Sequence, residues 1–141
     1  MRLFLDASVI LAACGRRLGA SHALFDLART HGWKLIAGEY VLREVEKNLA
    51  HRLPDAAREE WKRLRPALFV VGDELTYPWP VIFPAAKDRP VLFTAAAVAD
   101  VLLTLDRADF GGVMAAGFYG LPVMKPGDFL RRERAAGRLL T

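Results

Sequence analysis

Residues 98–110, VADVLLTLDRADF, constrain this chain more than any other stretch. Val101, Leu102, Leu103 and Leu105 form a short apolar run interrupted only by Thr104, and the run stops at Asp106, Arg107 and Asp109. A short Val- and Leu-rich run without strict alternation suits a central parallel strand covered on both faces. An acid at the carboxyl end of such a strand lies on the edge where open α/β sheets bind their ligands. The N-terminus repeats the design: Leu3, Phe4 and Leu5 run into Asp6, Ser8 follows two residues later, and a helical pattern begins directly. Two buried strands that each deliver an acid, one first and one late in the chain, gather carboxylates at one point of a sheet.

The remaining stretches fit between these two. A helix is expected from Ala7 to about Cys14, then a basic break from Gly15 to Gly19, then a second helix with Ser21 as its N-cap, ending near Gly32. Lys34 to Ala37 reads as a strand. In EYVLREVEKNLAHRL, Val41, Leu42, Val45 and Leu49 make an apolar stripe with Glu44 at its border. Asp55 is a candidate cap for a further helix that Pro66 terminates, and Leu68 to Val71 is a third strand. Residues 72 to 90 contain Pro78, Pro80, Pro84 and Pro90 among Tyr77, Trp79 and Phe83, which predicts an irregular flap or short edge hairpin. An exposed apolar flap is a candidate surface for a homodimer. A helix from about Pro90 to Val98 then leads into the strand at 101–105. Gly111 and Gly112 are expected in the connection after it, followed by a helix to about Tyr119, a fifth strand from Leu121 to Met124 and a terminal helix beginning at Pro126. Five strands alternating with helices predict a three-layer α/β/α fold around a central five-stranded, mainly parallel twisted sheet, as a single domain over residues 1–141.

Composition narrows the function classes. A hydrophobic fraction of 53% in 141 residues supports a full core without staples. No run approaches the roughly 20 apolar residues that span a bilayer, and residues 1 to 15 lack the pattern of a signal peptide, so a cytoplasmic protein with no membrane association is expected. The single cysteine, Cys14, reads as a small core residue in a reducing compartment. The net charge of +4 is a mild bias toward polyanions. His22, His31 and His51 have no metal-ligand spacing and read as structural or surface residues. No Gly-rich phosphate loop follows any expected strand, which argues against a nucleotide-binding or phosphatase domain.

In right-handed βαβ units each helix N-terminus returns to the edge where the preceding strand ended. Asp6 and Asp106 end strands, Asp88 precedes a helix, and Glu44 lies within the first two turns of one, so all four acids are expected at that edge. Asp73 and Glu74 compete with Asp88 for its place, but only Asp88 directly precedes the helix feeding the 101–105 strand. Four carboxylates drawn together repel unless something neutralises them. A hard divalent cation, Mg²⁺ or Mn²⁺, prefers oxygen ligands, and acids holding a hydrated metal beside a phosphate are the usual arrangement for phosphodiester hydrolysis.

With LFLDASVI at the start, GASHALFDLARTHGWKLIAGEYVLREVEKNL after it, then KDRPVLFTAAAVADVLLTLDRADF and the closing LPVMKPGDFL, the chain resembles a PIN domain, the family of small metal-dependent ribonucleases that includes VapC-type toxins. The resemblance maps the family's four acids onto Asp6, Glu44, Asp88 and Asp106, adds Asp109 as a further metal ligand, and gives Ser8 and Thr104 the role of supporting the acids. Ser8 stands where relatives often carry Asn. The implied activity is Mg²⁺- or Mn²⁺-dependent cleavage of single-stranded RNA with one or two ions. Arg16, Arg17, Arg131 and Arg132 are candidates to guide the phosphate backbone, and an antitoxin covering the acid edge is the implied protein partner. The other class in contention is a catalytically weak or inactive RNA- or protein-binding regulatory module.

Overall fold

The structure, a computed structural model, describes residues 1–139. Strand β1 (Arg2–Leu5) leads into α1 (Ala7–Gly15) and α2 (Ala20–His31); β2 (Lys34–Gly38) is followed by α3 (Glu39–His51) and α4 (Asp55–Leu64). A single 3₁₀ turn (Arg65–Ala67) enters β3 (Leu68–Val71), and an irregular segment and a second 3₁₀ turn (Ala86–Asp88) lead to α5 (Arg89–Val98). The chain closes with β4 (Val101–Leu103), α6 (Arg107–Ala116), β5 (Val123–Met124) and α7 (Pro126–Ala135).

All four strand pairings are parallel, in the order β3-β2-β1-β4-β5. The fold is therefore the expected three-layer α/β/α arrangement around a five-stranded sheet. Its central strands have no solvent face: Leu3, Phe4, Leu5, Leu102 and Leu103 are fully buried, as uninterrupted apolar strands require. The chain winds from β1 outward to β2 and β3, then returns to place β4 on the other side of β1. The order thus reverses between β1 and β4, where adjacent connections leave in opposite directions and open a crevice at the strands' carboxyl ends. The two strands that end in acids are the pair flanking this switch point. The Asp6 N–H donates to the Leu103 carbonyl at 3.0 Å, carrying the pairing one residue past β1.

Several boundaries differ from expectation. Gly19, not Ser21, is the N-cap of α2, and Ser21 is buried in its first turn. Asp55 is the first residue of α4 and makes no side-chain cap; Pro54 holds the cap position. Gly111 and Gly112 lie inside α6 because Phe110 and Val113 bury that helix against the core and Asp106 caps its start. The helix ends at Gly117 (φ +75), well before Tyr119, whose φ of +48 places it in a left-handed turn. That turn pairs Phe118 with Leu121 and shortens β5 to two residues. The terminal helix stops at Ala135, ahead of Gly137 at φ +72.

The histidines behave as structural or surface groups. His22 is buried between Glu60 (2.7 Å) and Asp26 (3.2 Å), His31 bonds to the Leu27 carbonyl and stacks on Trp33, and His51 is exposed. Cys14 is a buried free thiol whose pKa burial pushes up to about 11, which fits a core residue. No helix among the described residues is long and apolar enough to cross a membrane.

The start of α3 depends on close backbone approach. Both oxygens of Asp73 accept from the Tyr40 N–H, at 3.0 and 3.3 Å, so a residue beyond β3 supplies the cap that Gly38 cannot. A Cβ on Gly38 would collide with Asp73 Oδ1. Gly38→Ala is therefore expected to displace that carboxylate and cost about 1–2 kcal/mol, the usual worth of a lost N-cap. Thermal unfolding checks this, and an unchanged midpoint would mean that the cap contributes nothing.

Candidate metal centre

The carboxyl ends of β1 and β4 set the floor of the site. Asp6 follows β1 at the N-terminus of α1, where it occupies the cap position without making a side-chain cap. Its carboxylate is committed elsewhere: Ser8 Oγ and Thr104 Oγ1 both donate to Oδ2 at 2.8 Å. The same hydroxyls accept in turn, Ser8 from the Leu105 N–H at 3.0 Å and Thr104 from the Asp106 N–H at 3.0 Å. Thr104 thereby ties the first acid to the backbone of the last. Burial raises the pKa of Asp6, opposed by the Thr104 and Ser8 hydrogen bonds and the Ala7 backbone bond, with the Asp106 charge adding to the rise.

Asp106 caps α6 by accepting from the Asp109 N–H at 3.0 Å. This one-turn closure brings Asp106 and Asp109 to the same side of the helix start. Asp88 comes from a different direction, out of the short turn before α5, and like Asp6 it holds a cap position without making the cap bond. One carboxylate oxygen from each of Asp88, Asp106 and Asp109 lies within 4.8 Å of the other two. Asp88 Oδ2 is buried with no hydrogen-bond partner. Asp88 is crowded by the carboxylates of Asp106 and Asp109, and one carboxylate can satisfy another only through a shared proton or a cation.

The ionisation pattern reflects that crowding. Burial is the largest cause pushing Asp88 up to about 7, and the hydrogen bond shared with Asp109 and the charges of Asp6 and Asp109 push the same way. Asp109 moves down, because Asp88 donates to it and Lys87, 3.5 Å away, adds positive charge. A group of three aspartates, one of them with a buried and unpartnered oxygen, can coordinate a divalent metal.

Asp6, Ser8, Glu44, Asp88 and Asp106 line one cavity of about 210 Å³, together with Tyr40, Asn48 and Lys87. Glu44 reaches this cavity from α3. The structure thus brings all four expected acids to one cavity, with Asp88, Asp106 and Asp109 in the tightest group and Asp6 and Glu44 outside that group. Asp73 faces the start of α3, and Glu74 offers its N–H to Thr94 Oγ1 at 2.8 Å. Asp100 lies at the opposite end of the strands, accepting from the Arg2 N–H at 2.7 Å.

Tyr40 and Asn48 went unnoticed in the sequence, although they stand four residues either side of Glu44 and so share its helix face. Burial, then the charges of Glu44 and Asp88, raise the Tyr40 pKa and keep the hydroxyl protonated. The arginines proposed to guide a phosphate backbone stand elsewhere. Arg17 pairs with buried Glu60 at 3.2 Å, Arg131 with Asp128 at 2.6 Å and Arg132 with Glu133 at 3.4 Å. Arg16 lines a separate cavity with Leu105 and Gly127.

Residues 2–108 match the family described as PIN domain. A chain of VapBC2 from Rickettsia felis, solved bound to a DNA fragment from its promoter, is similar with a TM-score of 0.61 and 13% identity, over 87% of this chain and 97% of that one. A domain of a functionally unknown protein from Methanocaldococcus jannaschii gives a TM-score of 0.56 and 17% identity, over 88% and 89%. VapC20 of Mycobacterium tuberculosis, a toxin that cleaves the sarcin–ricin loop, gives 0.46 and 19%, over 84% and 98%. The comparison with curated proteins returns no match.

Proposed function

The chain belongs to the PIN-domain family, and from that premise we propose that it is a metal-dependent endoribonuclease acting on single-stranded RNA, with Asp6, Glu44, Asp88 and Asp106 as its catalytic acids and Asp109 as a further metal ligand. The observation that carries this reading is the buried, unpartnered Asp88 Oδ2 set against Asp106 and Asp109 at the sheet's switch point. Carboxylates kept only for stability would each have donors, as Asp73 and Asp100 do.

When bound, Mg²⁺ or Mn²⁺ would neutralise the phosphate and acidify the attacking water. The protein's own part is positioning. Ser8 and Thr104 hold Asp6 at a fixed angle through Oδ2, and Thr104 couples that position to the Asp106 backbone. Lys87, paired to Asp109, offers a cation beside the acids for a phosphate oxygen. Tyr40, neutral at physiological pH, offers a hydroxyl without adding charge. The cavity holds no histidine, so the reading assigns no side-chain general base.

The test is hydrolysis of a mixed-sequence single-stranded RNA with Mn²⁺ or Mg²⁺ against EDTA. Cleavage that appears only with metal supports the enzyme. Tight RNA binding with no hydrolysis under any metal would instead favour the regulatory binding module. The likeness of fold to VapBC2 supports extending the reading to a partner, an antitoxin-type protein that covers the acid edge and blocks cleavage. Purification from the native source without a small co-eluting protein would count against that extension.

A further inference from the structure

The acid cavity does not end at Glu44. Glu44 and Asn48 also line a second depression of about 320 Å³ that continues along α3, bounded by Lys47, His51 and Arg52. The two share a wall, so a chain leaving the acids in this direction stays on one surface. Asn48 Nδ2 donates to the Glu44 carbonyl at 2.8 Å, which fixes the side chain common to both. Lys47, His51 and Arg52 are exposed, and none forms an ion pair or side-chain hydrogen bond among the described residues. In that they differ from Arg17, Arg131 and Arg132, whose guanidinium groups already hold carboxylates.

We propose that this groove is the backbone subsite for the substrate. Lys47 and Arg52 take phosphate groups, and Asn48 and His51 take ribose or phosphate oxygens, of the RNA segment flanking the bond that lies over the acids. The inference rests on the nuclease reading and adds to it the direction in which the strand runs. Unpaired cations opening directly from a cavity of carboxylates suit a polyanion whose scissile phosphate is held by metal and whose next phosphates need another source of positive charge. Cations near a helix C-terminus also stabilise the helix by themselves, so the test must separate charge spent on the helix from charge spent on a ligand.

Anisotropy of a labelled mixed-sequence single-stranded RNA, read in EDTA so that no hydrolysis occurs, makes that separation. The double variant Lys47→Gln/Arg52→Gln is expected to bind about tenfold more weakly and to lose about 1.4 from the slope of log affinity against log salt, about 0.7 for each phosphate contact. Between about 50 and 200 mM salt the wild type would then lose about sevenfold more affinity than the variant. The charge-preserving exchange Lys47→Arg/Arg52→Lys restores the slope. Arg29→Gln/Arg134→Gln, which removes two exposed charges from α2 and α7, leaves it unchanged. A variant slope equal to wild type, in a protein whose wild type cleaves RNA with Mn²⁺, overturns the groove and spares the nuclease. A lowered melting temperature with an unchanged slope assigns the cations to the helix alone and also overturns it. Wild type that neither binds nor cleaves RNA overturns both.

Discussion

Asp88→Asn is expected to reduce metal-dependent RNA cleavage by about 10³-fold or more while making the metal-free protein more stable above neutral pH. The first effect follows from removing one charged member of the Asp88, Asp106 and Asp109 group. A metal ligand is worth several kcal/mol of transition-state stabilisation, and each 1.4 kcal/mol or so is a factor of ten. The second follows from the direction of the pKa shift. Asp88 titrates near about 7 in the folded protein, whereas an unfolded aspartate titrates near about 4. Between those values the folded protein holds a proton that the unfolded chain has released. The stabilisation that Asp88 itself contributes is therefore greatest below about pH 4, declines as pH rises, and is gone above about 7. Asp6, also raised, contributes in the same direction, while Asp109 is lowered and acts only in the acid range. Asp88 is partly exposed, so screening reduces its share to about 1 kcal/mol. In EDTA, thermal midpoints between pH 5 and 8 should fall less for the variant than for wild type. Saturating Mn²⁺ should reverse the order, because only wild type gains the full binding term. A variant destabilised in EDTA at pH 8 would mean that Asp88 is a structural carboxylate, and the reading of the site would have to be rebuilt without it.

The parts of this site that local sequence carries were legible before the fold was known. Leu3 to Leu5 and Val101 to Leu103 are apolar without alternation because both faces of their strands are covered, and the acid that follows each must fall at the carboxyl edge. The supporting role of Ser8 and Thr104 came instead from the family resemblance, and both hydroxyls donate to Asp6 in the structure. The mistaken boundaries came where a local signal lost to packing. Gly111 and Gly112 read as a break, yet Phe110 and Val113 bury the helix that contains them. Glu44 was placed at the acid edge, but the other residues that the rotation of α3 brings to the site could not be read. That rotation turns the Tyr40, Glu44 and Asn48 face to the acids and leaves Lys47 and Arg52 along the continuing groove. It is pinned by Asp73, a residue whose sequence context made it look like a rival metal ligand. An acid that caps a helix and an acid that awaits a metal are indistinguishable as letters. They differ in whether a donor reaches each oxygen, which only the tertiary structure decides.

Phe110→Ala is expected to cost about 3–5 kcal/mol of stability and, unlike other core truncations of equal cost, to weaken metal binding. Phe110 is fully buried immediately after Asp109, and its ring meets Phe83 with 5.3 Å between centroids. Phe83 is the one strongly buried side chain of the Pro-rich segment, whose neighbour Ile82 is almost fully exposed. Arg89, next to Asp88, donates to the Phe83 carbonyl at 3.2 Å. The Phe110–Phe83 contact therefore anchors the segment that delivers Asp88 to the helix that delivers Asp109. Truncation removes the transfer energy of a phenyl ring and leaves a cavity beneath both acids. A domain of this size should then melt roughly 10–15 °C lower. Leu24→Ala, in α2, is the control, because it removes a fully buried side chain at a cost of about 2–5 kcal/mol from a helix that supplies none of the acids. Calorimetric Mn²⁺ titration below both melting points separates the two. Weaker binding in Phe110→Ala alone supports the anchor, whereas equal affinities in both variants would show that Asp88 is held by its own turn and that the flap's only buried ring serves stability.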